Sequence, residues 1–334
     1  MLPGKLPLKQ LTQLLGKLEL NDPRVVLGPQ PGEDAALIDF GDRYLVCATD
    51  PITFATDLIG WYLVQINAND LAVMGATPRW LMATLLIPQE MANDDLHRIF
   101  DQMLKACTAL DISLVGGHTE ITYDLPRPIA IGAMQGEVAK DRVVLTSGAQ
   151  SGDSIILTKG VAIEGTAILA REASDALIRA GLSSDVVDTA RSLLFSPGIS
   201  VVEAARLACD TVNVHAMHDP TEGGLATGLL EMATSAQVGL TVESQSIPIL
   251  PECRAFCEAL ELEPLGLIAS GALLLTVDPR DTPKLIKAFT QRKIAASEIG
   301  RITQPEEGLK LQTPDGLRDL PVFERDEVVR FLGG

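Results

Sequence analysis

The chain has 334 residues, 46% of them hydrophobic and only 4% aromatic, and carries 44 Asp and Glu against 27 Lys and Arg for a formal charge of −17. That length suffices for two domains of roughly 150 residues with aliphatic cores, and that charge offers no basic footprint for nucleic acid or an anionic membrane. Five cysteines, with one i,i+4 pair at Cys253 and Cys257 and no histidine cluster beside it, read as reduced thiols of a cytoplasmic protein rather than disulfides or a zinc site.

Residues 8–20 read as a short amphipathic helix, and the run from Gly28 to Asp34 as a loop leading into a strand at 35–39. The turn Gly41-Asp42 opens a second strand, Tyr44 to Thr49, which ends at Asp50-Pro51. A long apolar helix is expected from near Ala55 to the stop at Gly75. It places Asn67, Asn69 and Asp70 where a core helix would carry leucines, and Asn67 and Asp70, three apart, share a face. A carboxylate in so apolar a segment has to be paired, hydrogen-bonded or metal-bound. A buried strand at 80–87, a helix at 94–110, a strand at 112–115, a loop at 116–120 and a strand at 129–138 complete the first half.

The run from Thr146 to Asp153 contains no bulky apolar residue and reads as the boundary between domains at 1–147 and 154–334. The second half restarts with a strand at 154–158, a turn at Lys159-Gly160 and a helix through Ala170. A helix at 200–209, a strand at 212–216, a polar loop at 218–224 and a helix through Ala236 follow. Strands near 240–243 and 271–277, a helix at 282–292 and a strand at 298–303 close it. Both halves mix strands with helices, so the fold class is α/β (α+β) in two domains.

No Walker A loop, G-x-G-x-x-G or G-x-S-x-G run occurs. What recurs is an aspartate at or near the end of a regular element with Gly or Pro close by: Asp34, Asp50, Asp70 and Asp219. One such residue is ordinarily a turn former or a helix cap; four at equivalent places point to a shared purpose, and hard carboxylate oxygens suit Mg²⁺. A carboxylate 4 Å from a phosphate charge repels it by about 1 kcal/mol in water and about 4 kcal/mol at an effective dielectric near 20. A polyphosphate ligand on this acidic chain therefore calls for divalent cations between the two. Lys159, with Glu164 a turn later, reads either as a contact for an anionic substrate or as a solvated lysine at a strand end. His215 and His218 lie three apart on a strand running into a loop, which points them in different directions.

Gly32-Glu33-Asp34-Ala35-Ala36, Thr49-Asp50, Asn69-Asp70-Leu71-Ala72-Val73-Met74-Gly75-Ala76, Gly116-Gly117-His118-Thr119 and Asp219-Pro220-Thr221-Glu222-Gly223-Gly224 occur in that order. Together they resemble the aminoimidazole ribonucleotide (AIR) synthetase, or PurM-like, superfamily, whose members include thiamine-monophosphate kinase, selenophosphate synthetase and HypE. The third and fifth runs are most similar to HypE.

The resemblance implies a homodimer joined through strands of a mixed-sheet N-terminal domain, a C-terminal α/β domain, and ATP held in a cleft between domains or across the dimer. It implies metal binding by Asp34, Asp50, Asp70 and Asp219, and nucleotide contacts from Gly28, Gly32, Asn67, Gly116, Gly117, His118, Thr221 and Gly223. It also implies a catalytic role for Asp70, Asp219 and His218, with Lys159, Glu164 and His218 facing the substrate. In such proteins ATP phosphorylates an oxygen of a poorly reactive group, often an amide, and so makes it a leaving group.

Two departures stand out. The tail cysteine that carries the carbamoyl group in HypE has no counterpart, since the last cysteine here is Cys257. His118 stands where HypE and the kinase have Asp, as in selenophosphate synthetases. The expectation is an ATP- and Mg²⁺-dependent enzyme acting on an oxygen of a small-molecule or carbamoyl-type acceptor. The alternatives are a non-catalytic ATP-binding accessory to hydrogenase maturation acting through a partner protein, and a thiamine-monophosphate kinase-like activity.

Overall fold

The computed structural model describes residues 5–6, 8–53 and 57–333. They form two compact units: residues 20–29 with 34–143, and residues up to 19 with 30–33 and everything from 144. The N-terminal helix α1 (Leu8–Leu15) belongs to the second of these.

The first unit carries a six-stranded mixed sheet. Its strands are β1 (Val25–Leu27), β2 (Ala36–Asp39), β3 (Arg43–Ile52), β4 (Thr77–Pro88), β5 (Ser113–Thr122) and β6 (Ile129–Ala139), in the order β1-β2-β3-β6-β4-β5. Every pairing is antiparallel except β4 with β5. A parallel pair needs a crossover, which here is α3 (Asn93–Leu110), an amphipathic helix burying Ile99, Met103, Ala106 and Cys107. α2 (Ile59–Val73) buries every residue except Trp61, so it has no polar face and its polar side chains must be satisfied internally. It stops as its sequence predicts. Gly75 turns at φ +74°, and the Ala76 amide returns to the Leu71 carbonyl at 3.1 Å. The expected start near Ala55 lies outside the described residues.

Side chains alternate across this sheet. Val46, Leu81, Ala83, Leu85, Ala130 and Met134 are buried, whereas Trp80, Met82, Ile129 and Ile131 on the opposite face are exposed or half-buried. The expected loop at 116–120 is instead the middle of β5, with Gly116, Gly117 and His118 paired to Met82, Ala83 and Thr84. Two adjacent glycines look like a turn in sequence, but the parallel pairing to β4 holds them extended.

The second unit is built on a seven-stranded sheet. Its strands are β7 (Ser154–Thr158), β8 (Val214–His218), β9 (Gly239–Glu243), β10 (Leu274–Val277), β11 (Ala296–Thr303), β12 (Leu309–Thr313) and β13 (Gly316–Asp319), ordered β13-β12-β9-β11-β7-β10-β8. Its helices are α4 (Ile163–Glu172), α5 (Ser174–Arg179), α6 (Ser184–Ser192), α7 (Val202–Thr211), α8 (Gly224–Ala236), α9 (Pro251–Leu260), α10 (Thr282–Gln291) and α11 (Glu327–Leu332). The helical run 184–211 meets the length and hydropathy of a membrane span. It is interrupted at Ser196 (φ −146°, ψ 110°), and the helices on either side, α6 and α7, pack on α4 and α10 of the same unit.

Leu274 of β10 pairs with Leu157 of β7 on one side and with His218 of β8 on the other. The carboxyl ends of β7 and β8 therefore emerge at one edge of the sheet, where α4 and α8 begin. Crevices beyond strand carboxyl ends are the usual ligand positions of α/β sheets.

Candidate functional site

In the first unit the geometry separates Asn67 from Asp70. Asn67 is fully buried and spends its amide on backbone. Its Oδ1 accepts from the Asp50 N–H at 2.9 Å, while its Nδ2 donates to the carbonyls of Asp50 (3.2 Å) and Leu63 (2.9 Å). This clamp fixes the end of β3 against α2 and sets the position of Asp50, with the Thr49 hydroxyl adding a bond to the Gly132 carbonyl at 2.6 Å. Asp70, 7% exposed, stands one helical turn beyond Asn67 on the same face. Asp34, half-buried, precedes β2 of the same unit.

A cavity of about 390 Å³ lies on the α3 side of β4 and β5. It is lined mainly by apolar groups, among them Leu85, Phe100, Met103 and Leu114, together with the backbone at Gly116 and Gly117. Gly117 is required there by fit. At φ +152° a Cβ would stand 1.9 Å from the Ala83 carbonyl oxygen, whereas one on Gly116 would meet only Met82 Cγ at 3.9 Å. His118 is exposed at the cavity mouth, with Nε2 3.4 Å from Glu120 Oε2.

In the second unit the loops after β7 and β8 bring the other expected residues to one sheet edge. After β7 the chain takes positive φ at Lys159 (61°), Gly160 (154°) and Ala162 (56°), a concentration of rarely populated backbone that accompanies functional loops. Lys159 is not a solvated strand-end lysine. Its ammonium donates to the carbonyls of Gly198 (2.9 Å) and Ser200 (2.6 Å), and burial pulls its pKa down to about 8. Glu164 is buried in the first turn of α4.

After β8, Asp219 is 2% exposed, and consecutive left-handed glycines, Gly223 (φ 78°) and Gly224 (φ 67°), turn the chain into α8. The segment 268–270 ties the two helix starts together. Ile268 accepts from the Gly165 N–H at 3.0 Å, and the Ala269 N–H donates to Thr221 at 3.2 Å. The Ser270 hydroxyl beside them is buried without a partner among the described residues.

His215 and His218 diverge as expected. His215 Nδ1 lies 2.9 Å from Asp153, and the buried His218 has its Nε2 3.0 Å from Glu231 Oε2 on α8. The other Glu231 oxygen accepts from the Lys5 ammonium at 2.9 Å. Burial raises the Glu231 carboxyl, but the bonds to His218 and Lys5 outweigh it and hold the pKa at about 2. Gly32 packs on α8, and the neighbouring Glu33 accepts from the amides of Thr146 and Ser147 and from the Ser235 hydroxyl. Gly28, named with Gly32 among the implied nucleotide contacts, belongs to the first unit and packs on Leu20.

Glu231, Glu33 and Ser270 escape the sequence reading. Two had a signal: Glu33 lies inside the Gly32–Ala36 motif, and Glu231 lies two turns into a helix opened by another, on the face that returns toward β8.

The AIR synthase related protein models match this chain over residues 32–138 for the N-terminal domain and 150–312 for the C-terminal domain. A putative hydrogenase expression/formation protein of Methanocaldococcus jannaschii is 30% identical over 319 residues, covering 92% of this chain and 91% of that one. The chain belongs to the AIR synthase related family. Within that family it is 28% identical over 291 residues to a carbamoyl dehydratase HypE of Cupriavidus necator, with 82% of this chain and 78% of the other aligned. Its fold is that of PurM-like proteins. A structure of HypE in complex with ATP superposes with a TM-score of 0.73 at 24% identity, covering 95% of this chain and 96% of the other. The five motifs that carried the resemblance thus sit in the two AIR synthase related domains, four in the first and one in the second.

Proposed function

We propose that this AIR synthase related chain is an ATP- and Mg²⁺-dependent enzyme that activates an oxygen of a small-molecule or carbamoyl-type acceptor by phosphorylating it. The observation that carries the reading is Asp70. It is a carboxylate buried in a helix with no polar face, next to the Asn67 clamp that fixes Asp50, in a family whose relatives include HypE, solved with ATP.

The donor set fits a hard cation. Asp34, Asp50 and Asp70 in the first unit, and separately Asp219 in the second, offer oxygens only, as Mg²⁺ prefers. Mg²⁺, when bound there, would offset the repulsion between this acidic chain and a polyphosphate. The cavity beside Gly116 and Gly117 has the apolar lining and open backbone suited to a purine base. In the second unit the half-buried Lys159 and the buried Glu164 and His218 would face the acceptor, and Glu231 would fix the orientation of the His218 ring. Catalysis would come from positioning and charge neutralisation, which dominate phosphoryl transfer. The exposed face of the six-stranded sheet and the open edge of β5 support assembly as a homodimer.

Isothermal titration with a non-hydrolysable ATP analogue tests the reading. Binding is expected with Mg²⁺ present and a loss of at least about tenfold with EDTA, and Asp70→Asn is expected to abolish binding while the circular dichroism spectrum is retained. No binding by the wild-type chain in either condition overturns the proposal. Unchanged binding in the variant removes Asp70 from the site.

A further inference from the structure

The loop Asp219–Gly224 is held from outside by a segment remote in sequence. Asp326, 6% exposed, precedes α11, and its two carboxylate oxygens do different things. Oδ1 caps α11 by accepting from the Val328 N–H at 2.8 Å, and Oδ2 accepts from the Gly223 N–H at 2.8 Å. Gly223 is the first of the two left-handed residues that turn the loop into α8, so this bond acts at the turn itself.

The C-terminal segment reaches that place because it is docked at several further points. The Phe323 ring lies against Gly266, Glu327 accepts from the Glu263 N–H at 2.9 Å, and Arg330 donates to the Glu327 carboxylate and the Glu261 carbonyl. A buried carboxylate kept close to Glu222 and Glu327 is costly, and burial with those neighbours pushes Asp326 up to about 7. A side chain used only to cap α11 would not need a carboxylate, because a serine caps a helix about as well. The second oxygen is what the acid adds, and it goes to Gly223.

We propose that Asp326 is a positioning residue for the Asp219–Gly224 loop, its Oδ2 taking the Gly223 amide and fixing the loop that presents Asp219 and Thr221. The Gly223 amide is accordingly committed within the chain and is not a phosphate donor. The link from this clasp to ligand binding rests on the functional reading above; the clasp itself does not.

The test is Asp326→Ser in the full chain. The serine hydroxyl keeps the α11 cap but offers a single, shorter acceptor. Hydrogen–deuterium exchange is measured on peptides covering 219–226 and 326–332, together with the affinity for Mg²⁺ and the ATP analogue. The expected result is exchange at least about tenfold faster in the loop, unchanged exchange in α11, and a dissociation constant raised about tenfold. Loop exchange within twofold of wild type overturns the proposal. So does equal loosening of α11, which would mean the whole segment had detached. An unchanged dissociation constant overturns the link to binding. If the wild-type chain binds no nucleotide, the functional reading falls and the exchange data still decide the clasp.

Discussion

Lys159 shows how burial rewrites a residue that sequence presents as ordinary. A lysine at a strand end normally extends into water, but this one bends its ammonium onto two carbonyls and is desolvated enough to lower its pKa to about 8. In the unfolded chain the same group titrates near 10.5. Between pH 8 and 10.5 the unfolded state therefore binds more protons than the folded one, and the Lys159 contribution makes the fold more stable as pH rises through that window. The cost of keeping the charge buried below pH 8 is roughly 3 kcal/mol. Urea midpoints measured from pH 7 to 10.5 should climb more steeply in wild type than in Lys159→Met. Parallel curves would mean that the ammonium is not desolvated. Asn67 teaches the complementary lesson. Its polarity in an apolar helix looked like ligand chemistry, yet its amide is consumed by the backbone of Asp50, 17 residues earlier. Nothing in the local sequence distinguishes a clamp from a ligand, because the partner is a main-chain segment whose position only the fold defines.

Among the elements, β5 is where local sequence and tertiary pairing disagree most. Gly116-Gly117 has the signature of a turn, and only the pairing with β4 makes it strand. The two glycines are nevertheless not equivalent. A methyl on Gly117 would collide with the Ala83 carbonyl and disrupt the pairing that closes the cavity, whereas one on Gly116 finds room. Gly117→Ala should therefore cost more than about 2 kcal/mol in thermal or urea unfolding, while Gly116→Ala should stay within about 1 kcal/mol of wild type. Equal stability of the two variants would show that β5 is looser than the pairing indicates. Elements with strong internal signals were legible: the α2 stop at Gly75, the glycine turn into α8, and the strand–loop–helix order around Asp219. The clasp of Asp326 on Gly223 was not, because 103 residues separate the partners and neither carries a local mark of the other.

At the scale of the whole molecule, the described residues leave one sheet face of the first unit without a cover. α2 and α3 pack against the face that carries Val46, Leu81, Leu85 and Met134. The opposite face presents Trp80 (36% exposed) and Met82 (44%), flanked by Ile129 and Ile131, and β5 adds an edge unpaired among the described residues, with Val115 and Ile121 exposed at 56% and 69%. An apolar sheet face bordered by an open edge strand is unstable as free surface, and chains manage it by covering or pairing it. A second copy satisfies both needs at once, since a twofold axis can bring the same face against itself. Net charge opposes this, because two chains of −17 repel at long range. That repulsion is screened beyond about 8 Å at physiological salt, whereas contact between apolar faces is not. Association should therefore strengthen with ionic strength, opposite to an interface built on salt bridges. Sedimentation equilibrium at 20 and 300 mM NaCl should give twice the chain mass, with the tighter dimer at higher salt. Met82→Glu places two carboxylates in the middle of the face and should give monomers of unchanged circular dichroism. A wild-type monomer at both salt concentrations, or a Met82→Glu dimer as tight as wild type, would show that this face is covered in some other way.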